Sequence, residues 1–248
     1  MFNSGSSIFK NFPTITKNLL IINILMWVAQ ITLPRVGINL TELLGLHYWG
    51  ASEFNPAQMI SYMFLHSDKD FTHLFFNMFS LLMFGPLLER VLGSKRFLFY
   101  YISCGLGAAL VQEIVWQFTW KDMFAPFFAN AGGWSMEDAY KAIDAAIAQG
   151  ENIPALNALL TIGASGCVFG ILLAFGMLFP NLPLYLMFIP IPIKAKYMVI
   201  GYGAIELFFG VTGTMDSVAH FAHLGGMLFG LLLLLIWKKK GNISGNSF

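Results

Sequence analysis

Six apolar stretches, each near the length that crosses a bilayer, divide this chain and limit what it can fold into. They run approximately from Asn18 to Leu33, Phe71 to Leu92, Phe97 to Phe118, Ala158 to Phe179, Ala195 to Gly210 and Ser217 to Trp237. A hydrocarbon core about 30 Å thick needs about 20 residues at a rise of about 1.5 Å each. Inside lipid the backbone has no water to bond, so such segments must be helical. The expected fold class is an all-α polytopic membrane protein with six transmembrane helices. Composition agrees, with 57% of residues hydrophobic and 11% charged, against roughly 25% charged in a soluble domain. That excludes both a water-soluble globule and a disordered chain. Fourteen Lys+Arg against thirteen Asp+Glu leave a net charge of +1, so no basic surplus exists for a nucleic-acid partner. Cys104 and Cys167 lie inside apolar runs and read as small core residues.

The first stretch follows Lys10 and Lys17, as a signal peptide would. It ends Gln30-Ile31-Thr32-Leu33-Pro34 without a small-x-small cleavage site, so it reads as a retained helix. With both termini inside, ten of the fourteen Lys and Arg fall on the cytoplasmic side, among them Arg90, Lys95, Arg96 and Lys238-Lys239-Lys240. Only Arg35, Lys69, Lys121 and Lys141 stay outside, which is the bias expected of cytoplasmic loops. The organisation expected is a cytoplasmic segment over 1–17, a membrane domain over 18–237 and a cytoplasmic tail over 238–248. Two outer connections are long, about 35 residues after the first helix and about 40, roughly 119–157, after the third. In the second, Met136, Ala139, Tyr140, Ile143 and Ile147 recur at helical spacing behind a Ser135 cap, with Gly150 as the stop. This predicts a short amphipathic helix that packs on the bundle, lies among headgroups or covers a site. The two halves show no internal repeat, which weakens a transporter reading.

Polar side chains inside membrane helices are costly, so each is a functional candidate. The second, fourth and sixth helices all start on the outer side, and their polar residues fall at one depth. His73 and Asn77 are four apart on one face of the second. Ser165 lies in Gly163-Ala164-Ser165-Gly166, roughly 12 Å into the fourth, and His220 and His223 lie roughly 6 to 10 Å into the sixth. Gly166 with Gly170, and Gly226 with Gly230, form small-xxx-small pairs that let two helices approach closely. A serine beside an imidazole supports nucleophilic acyl transfer, because the base takes the hydroxyl proton. Asn77, His73 and the Ser165 backbone amide would supply oxyanion donors. The plain alternative is a serine that bridges helices and a structural histidine.

Together, and in this order, several short segments resemble the rhomboid family of intramembrane serine proteases, in its six-helix bacterial form. They are Asn55-Pro56-Ala57-Gln58-Met59-Ile60 with Phe64-Leu65-His66, His73-Leu74-Phe75-Phe76-Asn77-Met78, Gly85-x-x-x-Glu89-x-x-x-Gly93, Gly163-Ala164-Ser165-Gly166, and Ala222-His223-Leu224-Gly225-Gly226 followed by Gly230. The resemblance implies Ser165 as nucleophile and His223 as general base, a dyad without a carboxylate. It implies oxyanion donors at His73, Asn77 and the Ser165 amide, and Phe169 packed on the catalytic imidazole. Gly163, Gly166, Gly226 and Gly230 would pack around the site. It also implies a multi-pass protein of the bacterial inner membrane, transmembrane protein substrates, lipid as surroundings, and lateral access between the second and fifth helices. No cofactor and no metal are implied. In the first outer loop, Tyr48-Trp49-Gly50 stands near where the family has Trp-Arg, and the loop after the third helix is long for the form.

This reading predicts a polar cavity open to the outer face, with His66, His73, Asn77 and Ser165 near its wall and the Phe208 to Ser217 connection over its mouth. Asp216 is too far along one straight helix to touch His223. Glu206 is either a cavity residue or satisfied by a neighbouring helix. Pro190 and Pro192 mark either an irregular start to the fifth helix or, as we favour, a plain loop. Competing functions are a catalytically silent binder, a small channel, and a zinc site built from His66, His73, His220 and His223 with no Asp or Glu beside it.

Overall fold

Glu89 explains how the first helix docks. In the computed structural model, which describes residues 12–186, 189–213 and 219–241, helix α1 spans Thr14–Thr32. Its first amides have no partners of their own. The Glu89 carboxylate supplies them, accepting from Ile15 N–H (3.0 Å), Thr16 N–H (2.7 Å) and the Thr16 hydroxyl (2.8 Å), and also from Ser94 Oγ (2.6 Å). Gly85, one turn earlier, leaves room for Thr16, whose Cγ2 would lie 2.9 Å from a Cβ there. Gly93 turns the chain at φ +80°, where glycine carries no steric penalty. The glycine–glutamate–glycine spacing is thus a docking site for α1.

After α1 come α2 (Leu40–Leu44), β1 (Leu46–His47), α3 (Gln58–Ser61), α4 (Phe71–Leu92), α5 (Ser94–Gly132), α6 (Met136–Ala148), β2 (Leu160–Thr161) and α7 (Ser165–Leu178). A hairpin of β3 (Pro183–Leu186) and β4 (Ile189–Lys194) leads to α8 (Ala195–Thr212) and α9 (His220–Lys239). Among the described residues, four helical segments are long and apolar enough to cross a membrane, Thr14–Val36, Phe71–Leu92, Ser94–Gly132 and His220–Lys239, while α7 is apolar but shorter.

Three expectations need correction. The third helix was expected to end at Phe118, but α5 continues to Gly132, because Trp120, Ala125 and Ala129 bury themselves against the loops. The fourth was expected from Ala158, yet Pro154–Ala158 is a 3-10 turn, Leu160–Thr161 pairs with Leu46–His47, and α7 starts only at Ser165. The chain is also not purely helical. Besides that short pair, β3 and β4 form an antiparallel hairpin with Pro183 opposite Lys194 and Leu184 opposite Ile193. Pro190 and Pro192 lie in β4, where prolines fit an edge strand.

Helix α7 is apolar all round, as suits an element enclosed by others, and it crosses α5 and α9 at glycines. A Cβ on Gly226 would stand 1.9 Å from the Gly166 carbonyl oxygen, and one on Gly170 would stand 2.4 Å from Cys104 Sγ. Tyr100 Oη donates to the Gly170 carbonyl at 2.8 Å and closes the same crossing. The long α5 organises the outer loops as well. Trp116, Trp120 and Ala125 bury Tyr48, Ile143, Leu156 and Leu159 in a second apolar cluster. Ile143 and Ala139 are the buried residues of α6, and Lys121 pairs with Asp144 across α5 and α6.

Candidate active site

Ser165 is the first residue of α7, so the amides around it have no carbonyl one turn back to bond. A helix N-terminus of this kind favours negative charge. Gly163 sets the approach, with φ +134° and its N–H donating to the Tyr62 carbonyl at 3.0 Å. A Cβ at Gly163 would lie 2.8 Å from His73 Nε2 and 3.5 Å from Ser165 Oγ, so only glycine keeps the gap between them open.

Opposite stands His223, in the first turn of α9. Its Nε2 is 2.8 Å from Ser165 Oγ, and Phe169, one turn along α7, stacks on the ring at 4.3 Å with planes 6° apart. The backbones meet closely enough because Gly166 and Gly226 touch, while Gly230 faces the Tyr100 hydroxyl. His73 comes from the first turn of α4, which Asp70 caps by accepting from Thr72 N–H (2.9 Å) and Thr72 Oγ1 (2.6 Å). These bonds hold the Asp70 carboxyl below its ordinary range. His73 Nδ1 accepts from Ser67 N–H at 3.3 Å, which leaves the proton of the neutral ring on Nε2, beside Gly163. Asn77 lies one turn further, with Nδ2 donating to the His73 carbonyl at 2.8 Å.

A cavity of about 570 Å³ runs from Ser165 and Asn77 along α4, α7 and α8 to the β3 strand. Its walls are mostly apolar, including Phe76, Phe79, Met83, Phe169, Leu184 and Tyr202, rather than polar as expected. His66 is not on this wall. It is fully buried, with neither ring nitrogen partnered among the described residues, its centroid 5.2 Å from that of His73. Burial pushes its pKa down to about 3, so it is neutral. Of the Phe208 to Ser217 connection expected over the cavity mouth, residues 208–212 are instead the end of α8, and 214–217 lie outside the described residues.

The main correction concerns Glu206. The resemblance implied a base without a carboxylate, and no acid was expected near the histidines. Yet one Glu206 oxygen, Oε2, lies 2.9 Å from His223 Nδ1 and 2.7 Å from His220 Nδ1. Of the two readings of Glu206, a cavity residue or one satisfied by a neighbouring helix, the second is what the geometry shows, with Glu206 on α8 and both histidines on α9. The three groups place potential ligand atoms within 4.8 Å of one another, but the two nitrogen–oxygen distances are those of hydrogen bonds. A tetrahedral zinc with bonds of about 2.0–2.1 Å would separate its ligands by about 3.3 Å.

In the first loop, Gln58 braces the chain by accepting from Asn55 N–H (3.0 Å) and His47 N–H (3.3 Å) while donating to the Glu53 carbonyl (3.0 Å). Tyr48 and Trp49 are tied to α5 through Gln117 Oε1, at 2.7 and 2.8 Å, and Glu113 accepts from Trp49 N–H at 2.7 Å.

A hydroxyl against an imidazole, at the bare N-terminus of an enclosed helix, is the geometry by which serine hydrolases activate their nucleophile. Here it sits in an apolar helical bundle. The chain belongs to the rhomboid family, for residues 53–240, more than half its length, match the Rhomboid domain. It is an integral, multi-pass membrane protein. It is 27% identical over 178 residues to the rhomboid protease AarA of Providencia stuartii, covering 71% of this chain and 53% of that protein. It is 45% identical over 49 residues to the predicted rhomboid protease YdcA of Bacillus subtilis (strain 168), covering 20% of this chain and 24% of that one. The chain thus spans about half of AarA's length and about a quarter of YdcA's.

Proposed function

We propose that this chain is an intramembrane serine endopeptidase that cuts other membrane proteins in or near their transmembrane segments. Ser165 is the nucleophile and His223 the general base. The observation that carries the reading is the 2.8 Å approach of Ser165 Oγ to His223 Nε2, with Phe169 stacked on the ring. Six spans are assigned to α1, α4, α5, α7, α8 and α9, with residues 18–237 embedded, both termini cytoplasmic and the site toward the outer leaflet of a bacterial inner membrane. The insert of about 119–157, with α6, then lies on the outer side.

His223 Nε2 takes the Ser165 proton as Oγ attacks the scissile carbonyl carbon. The resulting oxyanion is met by the Ser165 amide, His73 Nε2–H and Asn77 Nδ2–H. His223 returns the proton to the leaving amine as the carbon–nitrogen bond breaks, and water then hydrolyses the acyl–serine ester with the same base. No cofactor or metal takes part. The apolar cavity between α4 and α8 suits the side chains of a membrane-spanning substrate arriving laterally from lipid. Such a substrate must first unwind, since helical amides are protected, so segments weakened by glycine are preferred.

The test is cleavage of a transmembrane substrate by the purified protein in detergent. The parent should cut, and Ser165→Ala and His223→Ala should each lose about 10³-fold or more. Cleavage that survived Ser165→Ala would overturn the assignment.

A further inference from the structure

The stack of Phe169 on His223 fixes the plane of the ring but leaves two freedoms unset. The imidazole can flip within that plane, and its single neutral-state proton can sit on either nitrogen. Only a partner at Nδ1 removes both. Glu206 is that partner, because an ionised carboxylate accepts hydrogen bonds and donates none. With Glu206 ionised and its Oε2 at 2.9 Å, His223 Nδ1 carries the proton, and Nε2 keeps the lone pair that faces Ser165 Oγ at 2.8 Å. The same Oε2 takes a second bond from His220 Nδ1 at 2.7 Å, and His220 lies one turn before His223 on α9. That second bond holds the carboxylate in place, and all three side chains are largely withdrawn from the surroundings.

From this geometry we infer that Glu206 is a positioning residue for His223, converting the serine–histidine pair into a Ser165–His223–Glu206 relay that His220 steadies. The inference rests on the reading of Ser165 and His223 as the reacting pair. In the relay, the proton leaving Ser165 Oγ goes to His223 Nε2, the imidazolium that forms is faced by the Glu206 carboxylate, and the carboxylate itself stays unprotonated. When the leaving amine takes the Nε2 proton, the ring returns to its starting tautomer. His220 touches neither Ser165 nor the reacting atoms. Its loss removes one bond to the carboxylate and leaves the other.

The experiment compares Glu206→Gln, Glu206→Ala and His220→Ala with the parent and Ser165→Ala, measuring kcat and KM on one transmembrane substrate and the rate of Ser165 labelling by a fluorophosphonate. Glu206→Gln keeps the shape and the Oε1 acceptor but not the charge. Its kcat should fall about tenfold or more at an unchanged thermal midpoint, and that of Glu206→Ala about 10²-fold or more, with KM near the parent's and labelling slowed in parallel in both. His220→Ala should stay within about fivefold. The inference is overturned if Glu206→Ala keeps kcat within twofold of the parent. It is also overturned if the loss comes as raised KM with a lowered melting point, or if His220→Ala and Glu206→Ala lose equally, since Glu206 would then only tie α8 to α9. A chelator that changed the parent's kcat would overturn it in favour of a bound metal. Cleavage retained by Ser165→Ala would instead remove the underlying assignment, a result the Glu206 variants cannot produce.

Discussion

Substituting Gly226 by alanine should separate Ser165 from its proposed base, His223, without touching either. The added Cβ would sit 1.9 Å from the Gly166 carbonyl oxygen and 2.7 Å from its carbonyl carbon, where real contacts lie beyond 3.0 Å. The obstacle is backbone, not the yielding end of a side chain, so α7 and α9 must part by about 1 Å. Gly166 adjoins Ser165, and Gly226 lies one turn from His223, so most of that displacement passes into the 2.8 Å hydrogen bond. A bond stretched toward 4 Å is no longer one. A misplacement of about 1 Å costs about 10²-fold in rate, and overpacking a tight interface costs about 1–3 kcal/mol. The control is Gly201→Ala on α8, where a Cβ meets nothing within 4 Å among the described residues. Both variants would be assayed in one detergent for substrate cleavage, fluorophosphonate labelling and thermal midpoint. Gly226→Ala should lose about two orders of magnitude in both rates and melt lower, and Gly201→Ala should match the parent. Full activity and an unchanged midpoint in Gly226→Ala would refute the claim that this crossing sets the serine–histidine distance.

Other outcomes follow from the same geometry. Gly163→Ala, strained at φ +134° and intruding on His73 Nε2 at 2.8 Å, should reduce kcat by about tenfold or more, since it presses on the proposed oxyanion donor; a steady-state kcat equal to the parent's would contradict this. Glu89→Ala strips the partners from Ile15, Thr16 and Ser94 and should lower stability by about 2 kcal/mol or more, read as a lowered thermal midpoint. His66 is neutral in the folded state, with its pKa at about 3 against the ordinary 6.5. The unfolded chain alone therefore binds this proton between those values, and stability falls as pH drops through 6.5. The cost at pH 5 is on the order of 2 kcal/mol. His66→Phe should lose that part of the acid sensitivity of melting while showing the parent's midpoint near pH 8.

How much of this was legible in the sequence depends on what kind of signal each part leaves. Helix α4 runs over Phe71–Leu92, the stretch read from hydropathy, because lipid and bundle demand the same apolar residues there. The end of α5 was missed because Trp120, Lys121 and Asp122 break the apolar run, and hydropathy reports the lipid boundary rather than where the helix stops. The start of α7 was missed for the opposite reason. Ala158, Leu159, Leu160 and Ile162 continue the apolar run, while Gly163 and the pairing of Leu160–Thr161 with β1 keep it from being helical. That error mattered for the site, since an early start would have buried the Ser165 amide in a helical hydrogen bond. The alternating Ile-Pro-Ile-Pro-Ile of β4 carried a strand signal in its β-branched residues, outweighed in the reading by its prolines. Ser165, His223, His73 and Phe169 were nameable because short motifs surround them. Glu206 has no such motif. Its role depends on α8 and α9 meeting at one height, and no spacing along the chain encodes that.

The central claim, that His223 activates Ser165, is tested most directly by mapping the covalent adduct of a fluorophosphonate on the folded protein. The account predicts a single phosphonylated residue, Ser165, in the parent, with no adduct in His223→Ala or in the heat-denatured chain. An adduct on another residue, or one formed equally well without His223, would contradict it.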